Sequence, residues 1–249
     1  MELLSRTFIL RGERFTVNKL RLIDIPARAI NKLRRHFHKV DFAQLDSFLK
    51  QVPGVIHVGA NTGQERKDYA ALGLNVLWVE PIPAVFEELC ANISGFANQR
   101  AFRSLLAAED GKEYTFHVSD YGGASSSILD FAKHRKMHPD IHYVQDIRIT
   151  ATTLARLIEV EQIDLRGYGA LVMDTQGSEL LVLKGAIPVL EHLKFVKSEV
   201  ADFEAYAGCC QLEELTDFMR RHGFEILHKM PSITRDGVGT YYEVVYRRI

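Results

Sequence analysis

Three carboxylates could do chemistry in this chain: Glu80, Asp174 and Glu199 each stand at or near the end of an apolar run. The runs are Val76-Leu77-Trp78-Val79, Ala170-Leu171-Val172-Met173 and Phe195-Val196-Lys197-Ser198-Glu199-Val200. A further run, Val55-Ile56-His57-Val58, ends instead in the loop Gly59-Ala60-Asn61-Thr62-Gly63. Glu80 falls seventeen residues after Gly63. In a strand, loop, helix, strand unit, a carboxylate so placed lies beside the first loop and can accept both hydroxyl hydrogens of a ribose. Asp174 is the first choice for a base that takes a proton from a weakly acidic hydroxyl or orients it, and Glu199 is the second. Together they could hold Mg²⁺, which prefers oxygen ligands and lowers a bound hydroxyl's pKa. The plainer alternatives are a helix N-cap for Asp174 and a salt-bridged strand end for Glu199.

These residues need a sheet to bring them together, and the chain reads as one. Apolar β-branched runs bounded by turn residues are buried parallel strands. Helices are expected over Glu65–Leu72, stopped at Gly73, over Ala84–Ile93, through Leu154, Leu157 and Ile158 behind a Thr150 or Thr152 cap, and over Glu213–His222. A third strand is placed at Ala101–Ala107, with Glu109-Asp110-Gly111 as a tight turn and Lys112–Ser119 as its hairpin partner. Asp146–Ile149 resumes a strand, and Phe224–Leu227 and Thr240–Tyr246 form an antiparallel pair at the sheet edge. The polar stretch Asp120–Ser127 packs no core and is read as an active-site loop. The fold expected is a mostly parallel, doubly wound α/β sheet whose strand tips line one crevice.

The crevice suits a particular ligand. Gly59 and Gly63 fit Gly-x-x-x-Gly, without the third glycine that seats a pyrophosphate and without a Walker lysine. A ligand with ribose and adenine but no pyrophosphate fits better. Asn61 tolerates unusual backbone geometry, and its amide offers donors and acceptors to an amino-acid moiety. S-adenosylmethionine is such a ligand.

At this point the chain resembles a family. Val58-Gly59-Ala60-Asn61-Thr62-Gly63, Val79-Glu80-Pro81, Ala107-Ala108-Glu109-Asp110-Gly111 and the block from Met173-Asp174-Thr175-Gln176-Gly177-Ser178-Glu179 to Lys184-Gly185-Ala186 look like the FkbM family of S-adenosylmethionine-dependent methyltransferases. Order and spacing match over roughly residues 53–230. The resemblance implies a Rossmann-like class I methyltransferase fold and cofactor contacts at His57, Gly59, Ala60, Asn61, Gly63, Glu80, Pro81 and Asp174. It also implies Ala107 beside the adenine and Ser125 to Ser127 closing over the cleft. The serine loop and the Asp-Thr-Gln-Gly form are similar to members that act on sugar hydroxyls of glycolipids and polysaccharides. Two positions depart: His57 stands where many methyltransferases carry an acid, and Gln176 where many family members have Glu. The rivals are a nucleotide-dependent oxidoreductase, a non-catalytic cofactor-binding subunit, and nitrogen methylation on protein or nucleic acid.

Residues 1–52 look different and read as an N-terminal helical cap or lid on the methyltransferase domain of residues 53–249. Ile30, Leu33 and Phe37 mark one helical face between Pro26 and Lys39 with a basic opposite face, which suits a solvated cap, a substrate-side lid or contact with anionic lipid. Phe42, Leu45, Phe48 and Leu49 suggest a second helix. His134, His138 and His142 recur every four residues, but Pro139 argues against the one continuous helix that would align them on a metal. They read as solvated surface residues, one of them with a possible substrate-facing role.

Composition bounds the rest. A formal net charge of -1 over 249 residues carries no signature of a nucleic-acid binder. Cys90, Cys209 and Cys210 have no zinc or thioredoxin spacing and read as free thiols of a reducing compartment. Met1–Leu10 is interrupted by polar residues and lacks a signal peptide's apolar core, and no run is long enough to span a bilayer, so a soluble cytoplasmic protein is expected.

Overall fold

In the computed structural model, the residues described are 7–10, 13–16, 45–120 and 122–249. The chain divides into two compact units, Met1–Gln44 and Leu45–Ile249. In the first, strands β1 (Thr7–Leu10) and β2 (Glu13–Thr16) pair antiparallel, Thr7 opposite Thr16 and Leu10 opposite Glu13. A hairpin thus occupies part of the segment expected to be helical. The basic helix expected from Pro26 to Lys39, and Phe42 after it, lie outside the described residues.

The second unit opens with a 3₁₀ turn, Asp46–Gln51, which buries Phe48 and Leu49. In chain order there follow β3 (Gly54–Val58), α1 (Arg66–Ala71), β4 (Asn75–Val79), α2 (Pro83–Ile93), β5 (Gln99–Phe102), β6 (Glu113–Ser119), α3 (His134–Met137), β7 (Tyr143–Thr150) and α4 (Leu154–Val160). Then come β8 (Ala170–Met173), α5 (Glu179–Gly185), α6 (Ile187–Leu190), β9 (Phe195–Ala201), α7 (Leu212–Arg221), β10 (Phe224–Arg235) and β11 (Gly239–Arg248). Seven strands form one sheet in the order β10-β11-β9-β8-β3-β4-β5. The five from β9 to β5 run parallel, and β11 joins β9 antiparallel with β10 at the edge. This is the expected doubly wound sheet with an antiparallel edge.

Its two faces differ chemically. Ile56, Leu77, Leu171 and Val196 face the helices carrying Leu154, Val182, Leu183, Leu215 and Phe218 in one continuous core. Each such buried side chain contributes roughly 1.5–3 kcal/mol, so this layer fixes the sheet. The opposite face can then tolerate polar residues. There the register sets His57 beside Trp78 and Val172, and Val172 beside Lys197. Lys197 Nζ pairs with Asp46 Oδ1 at 2.7 Å and Glu243 Oε2 at 3.6 Å. Trp78 is fully buried, donates its indole N–H to Gln99 Oε1 at 3.1 Å, and stacks on His57 with ring centroids 5.0 Å apart.

Four expectations need correction. The third strand ends at Phe102 rather than Ala107; beyond Phe102 the chain leaves the sheet, and Leu106 bridges only to Thr152. The partner of β6 is therefore β7, in a separate two-stranded antiparallel sheet. Alternation revealed that β6 buries one face but not which strand it meets. The cap of α4 is Thr153, whose hydroxyl accepts from Arg156 N at 3.0 Å, while the Thr152 hydroxyl donates to Asp110. Finally, β10 runs on to Arg235 through two register shifts, one around Pro231, which an edge strand accommodates.

Candidate active site

The C-terminal tips of β3, β4 and β8 open into a cleft of about 270 Å³. It is lined by His57, Gly59, Ala60, Asn61, Glu80, Pro81, Ser125, Ser126 and Asp174. Gln64, Glu65, Ile82, Leu105, Leu106, Phe116, Thr175 and Gln176 also line it.

The loop after β3 is shaped by its neighbours. Gly59 has φ +78°, and an added Cβ would lie 1.9 Å from the Asp174 carbonyl oxygen, so glycine is needed to seat the loop against the tip of β8. The backbone N–H groups of Gly59 and Ala60 both donate to the Val79 carbonyl, at 3.0 and 3.1 Å. Gly63 does not reach the cleft. Its φ is +71° and its open side faces Leu89 of α2, so its role is to turn the chain and admit that helix.

Glu80 is 4 % exposed. Its Oε2 accepts from Asn61 N and its Oε1 from Ile82 N, both at 2.9 Å, leaving one lone pair on each oxygen. Burial raises the Glu80 carboxyl to about 7, against the lowering effect of those two N–H groups. Asn61 has φ +45° and donates its side-chain amide to the Gly122 carbonyl at 3.1 Å. It thereby ties the β3 loop to the serine stretch. That stretch is anchored: Ser126 Oγ accepts from Ser119 N at 3.0 Å, and Ser127 Oγ donates to the Gln176 carbonyl at 2.7 Å. Ser125 and Ser126 wall the cleft, and Ser127 holds the loop from behind.

His57 forms part of the cleft floor, 6 % exposed, with Nδ1 3.1 Å from the Tyr69 hydroxyl. Burial lowers its pKa to about 4, so the ring is neutral near pH 7. Ala107 lies behind the wall, fully buried, and its carbonyl is the atom that a Cβ on Gly185 would strike. The apolar wall is supplied instead by Leu105, Leu106, Ile82 and Phe116.

Asp174 does not cap α5. The cap position is Ser178, and Glu179 braces the preceding loop, its Oε1 accepting from Thr175 N, Thr175 Oγ1 and Gly177 N at 3.0, 3.1 and 3.1 Å. Burial raises the Glu179 carboxyl to about 7. The side chain of Asp174 is open to the cleft and accepts from Gln176 Nε2. Its carboxyl is raised, chiefly by the surrounding protein and against that hydrogen bond; water in the open cleft tempers the rise. Gln176 adopts φ +53°, a conformation that costs a non-glycine residue about 1–2 kcal/mol.

Glu199 is elsewhere. It accepts from the Ser232 hydroxyl at 3.2 Å and lines a separate cavity of about 20 Å³ with Glu179, Tyr206 and Tyr241. The two carboxylates expected to share a cation therefore open into different spaces. Among the described residues no group of three or more His, Cys, Asp and Glu side chains is placed to hold a metal ion. Nor do the histidines form a ligand set, because α3 is a single turn that ends at Met137. His134 is a core residue rather than a solvated one, with Nδ1 2.7 Å from the Tyr241 hydroxyl and its ring stacked on Phe131 and Tyr206. Burial lowers its pKa to about 4. Among the described residues, no helix is long and apolar enough to cross a membrane.

An apolar wall facing a carboxylate with unused lone pairs, at the tips of parallel strands, fits the base and ribose of a nucleoside. Sheet and cleft together define a Rossmann-like enzyme that takes a nucleoside-bearing cofactor. The chain belongs to the FkbM methyltransferase family, whose model, the methyltransferase FkbM domain, matches residues 57–226. It is accordingly an S-adenosylmethionine-dependent methyltransferase, which sets aside the oxidoreductase reading. A search of the curated proteins finds no match.

Solved structures with a similar fold include magnesium protoporphyrin IX methyltransferase (ChlM) from Synechocystis PCC 6803 with bound SAM, at 12 % identity and TM-score 0.48, covering 91 % of this chain and 86 % of that one. The TehB-like SAM-dependent methyltransferase from Corynebacterium glutamicum is 13 % identical with TM-score 0.43, over 90 % of this chain and 100 % of that one. M. capricolum TrmK with S-adenosylhomocysteine is 6 % identical with TM-score 0.44, over 82 % and 67 %.

Proposed function

We propose that this methyltransferase acts on oxygen, placing the methyl on a sugar hydroxyl of a glycolipid, polysaccharide or glycosylated natural product. The observation that carries this reading is Asp174: a carboxylate at the tip of β8, open to the cleft, with one oxygen engaged by Gln176 and the other free. S-adenosylmethionine, when bound, supplies an electrophilic methyl on a sulfonium. The work left to the protein is to position the acceptor and take its proton. A nitrogen acceptor bearing a lone pair needs no such base before attack, whereas an alcohol does.

In this reading Glu80 accepts from the ribose hydroxyls, Ile82, Leu105 and Phe116 cover the base, and Gly59, Ala60 and Asn61 line the methionine end. Ser125 and Ser126 wall the acceptor side. The balanced overall charge supports a neutral glycoside over nucleic acid.

The test incubates the protein with methyl-labelled S-adenosylmethionine and a panel of glycosides and glycolipids. Label should appear as an alkali-stable methyl ether. Asp174→Asn should lower turnover by about 10²–10⁴, the usual contribution of general base catalysis, while S-adenosylhomocysteine binds within a few-fold of wild type. Label on nitrogen, or undiminished turnover in Asp174→Asn, would overturn the proposal.

A further inference from the structure

Behind Asp174 runs a chain of hydrogen bonds that the reading above leaves unused. Tyr206 OH donates to Gln176 Oε1, and Gln176 Nε2 donates to Asp174 Oδ1. Every link is held from outside. Tyr206 is 1 % exposed, stacks on His134 with centroids 4.8 Å apart, and lies against Gly177, where an added Cβ would come within 2.9 Å of the phenol ring. Gln176 keeps its left-handed backbone with its own carbonyl tied to Ser127 Oγ at 2.7 Å. Burial holds the Tyr206 phenol well above its usual range, so it is always protonated and always able to donate.

The consequence lies in the amide's orientation. With a phenol donating to its oxygen, Gln176 must turn its NH₂ toward Asp174, and an NH₂ is a partner for carboxylate. The reverse orientation would set the amide oxygen against Asp174, which is acceptable only to a protonated acid. We infer that Tyr206 is a positioning residue: acting through Gln176, it keeps Asp174 ionised and leaves Oδ2 as the oxygen that receives the acceptor's proton. The inference rests on Asp174 being the base.

Other charged or titratable groups lie close enough to act on Asp174 electrostatically. They are His57 on β3, Glu65 before α1, Glu80 after β4, Glu179 on α5, Lys197 and Glu199 on β9, and Glu243 and Tyr241 on β11. Tyr206→Phe changes none of them and retains the aromatic packing. The experiment is a carboxyl ¹³C NMR titration of the full chain labelled at aspartate, with the Asp174 resonance assigned by its loss in Asp174→Asn. In Tyr206→Phe the midpoint of Asp174 should rise by roughly one pH unit, a tenfold change in its ionisation constant. Gln176→Glu, which swaps the donor for a second carboxylate, should raise it further. Unaltered binding of S-adenosylhomocysteine checks that each variant folds. An unchanged Asp174 midpoint in Tyr206→Phe overturns the inference, whatever Gln176→Glu does. Turnover of Asp174→Asn is read separately, so a failure of the base assignment is distinguishable from a failure of the Tyr206 link.

Discussion

Replacing Glu179 by glutamine should make the protein more stable at pH 8 than the wild type while leaving the loop it braces in place. All three donors, Thr175 N, Thr175 Oγ1 and Gly177 N, converge on one oxygen, Oε1, which a glutamine carbonyl reproduces. The new NH₂ would border the cavity of about 20 Å³, enough for one water. What the substitution removes is the charge. The Glu179 carboxyl rises from 4.5 to about 7 on folding, mainly through burial of a side chain only 4 % exposed. The folded state therefore holds a proton that the unfolded chain gives up, and stability falls as pH climbs from 4.5 toward 7. At about 1.4 kcal/mol per pH unit, the loss reaches about 3 kcal/mol by pH 8. Glutamine escapes it. Glu80 has a similar rise, but it is present in both proteins and cancels in their difference. Urea denaturation at pH 4.5 and pH 8 reads the effect: near-equal midpoints at the lower pH, and a midpoint higher by about 1 M for Glu179→Gln at the upper, for an m-value near 3 kcal/mol/M. A stability difference that is the same at both pH values would refute the argument.

The remaining expectations concern the cleft. Glu80→Ala should weaken S-adenosylhomocysteine by about 1.5–3 kcal/mol for each charge-assisted hydrogen bond lost, read by calorimetry; unchanged affinity would remove Glu80 from the cofactor site. Because the Glu80 carboxyl sits at about 7, wild-type affinity should rise between pH 6 and pH 8 as the accepting, ionised form takes over, and Glu80→Gln should flatten that profile. Gly59→Ala combines a left-handed φ with a Cβ 1.9 Å from the Asp174 carbonyl oxygen, so it should lower the melting temperature by several degrees, as a loss of 2 kcal/mol or more does in a domain of roughly 200 residues.

The parallel core was legible because its strands are buried on both faces and read as unbroken apolar runs. Ala170–Met173 is the clearest instance, with all four residues buried. Glu80 and Asp174 were legible for the same reason, since a polar residue closing such a run must stand at a strand tip. What escaped was whatever depends on the chain leaving the sheet. Ala101–Ala107 reads as one strand, yet hydrogen bonding stops at Phe102, and the change of direction turns Leu105 and Leu106 into the cleft while burying Ala107 against Gly185. Gly63 and Gly59 look equivalent in sequence, but only the backbone path shows that one faces Leu89 and the other Asp174. In sequence, Glu199 reads as closing an apolar run much as Asp174 does, but it lies within β9, two residues before its end. It opens into another cavity because β9 continues to Ala201 and pairs antiparallel with β11.

Trp78 gives this enzyme an optical probe of its own cleft. It is the chain's single tryptophan, fully buried, and the imidazole stacked on it at 5.0 Å, His57, lines the cleft. Its emission should be blue-shifted and shielded from iodide. Near pH 4, where His57 gains its proton, the imidazolium should quench that emission before the sheet itself opens. A ligand that dries the cleft would push this quenching to still lower pH. Cofactor binding could thus be followed by fluorescence with no label attached, one aromatic ring away from the event.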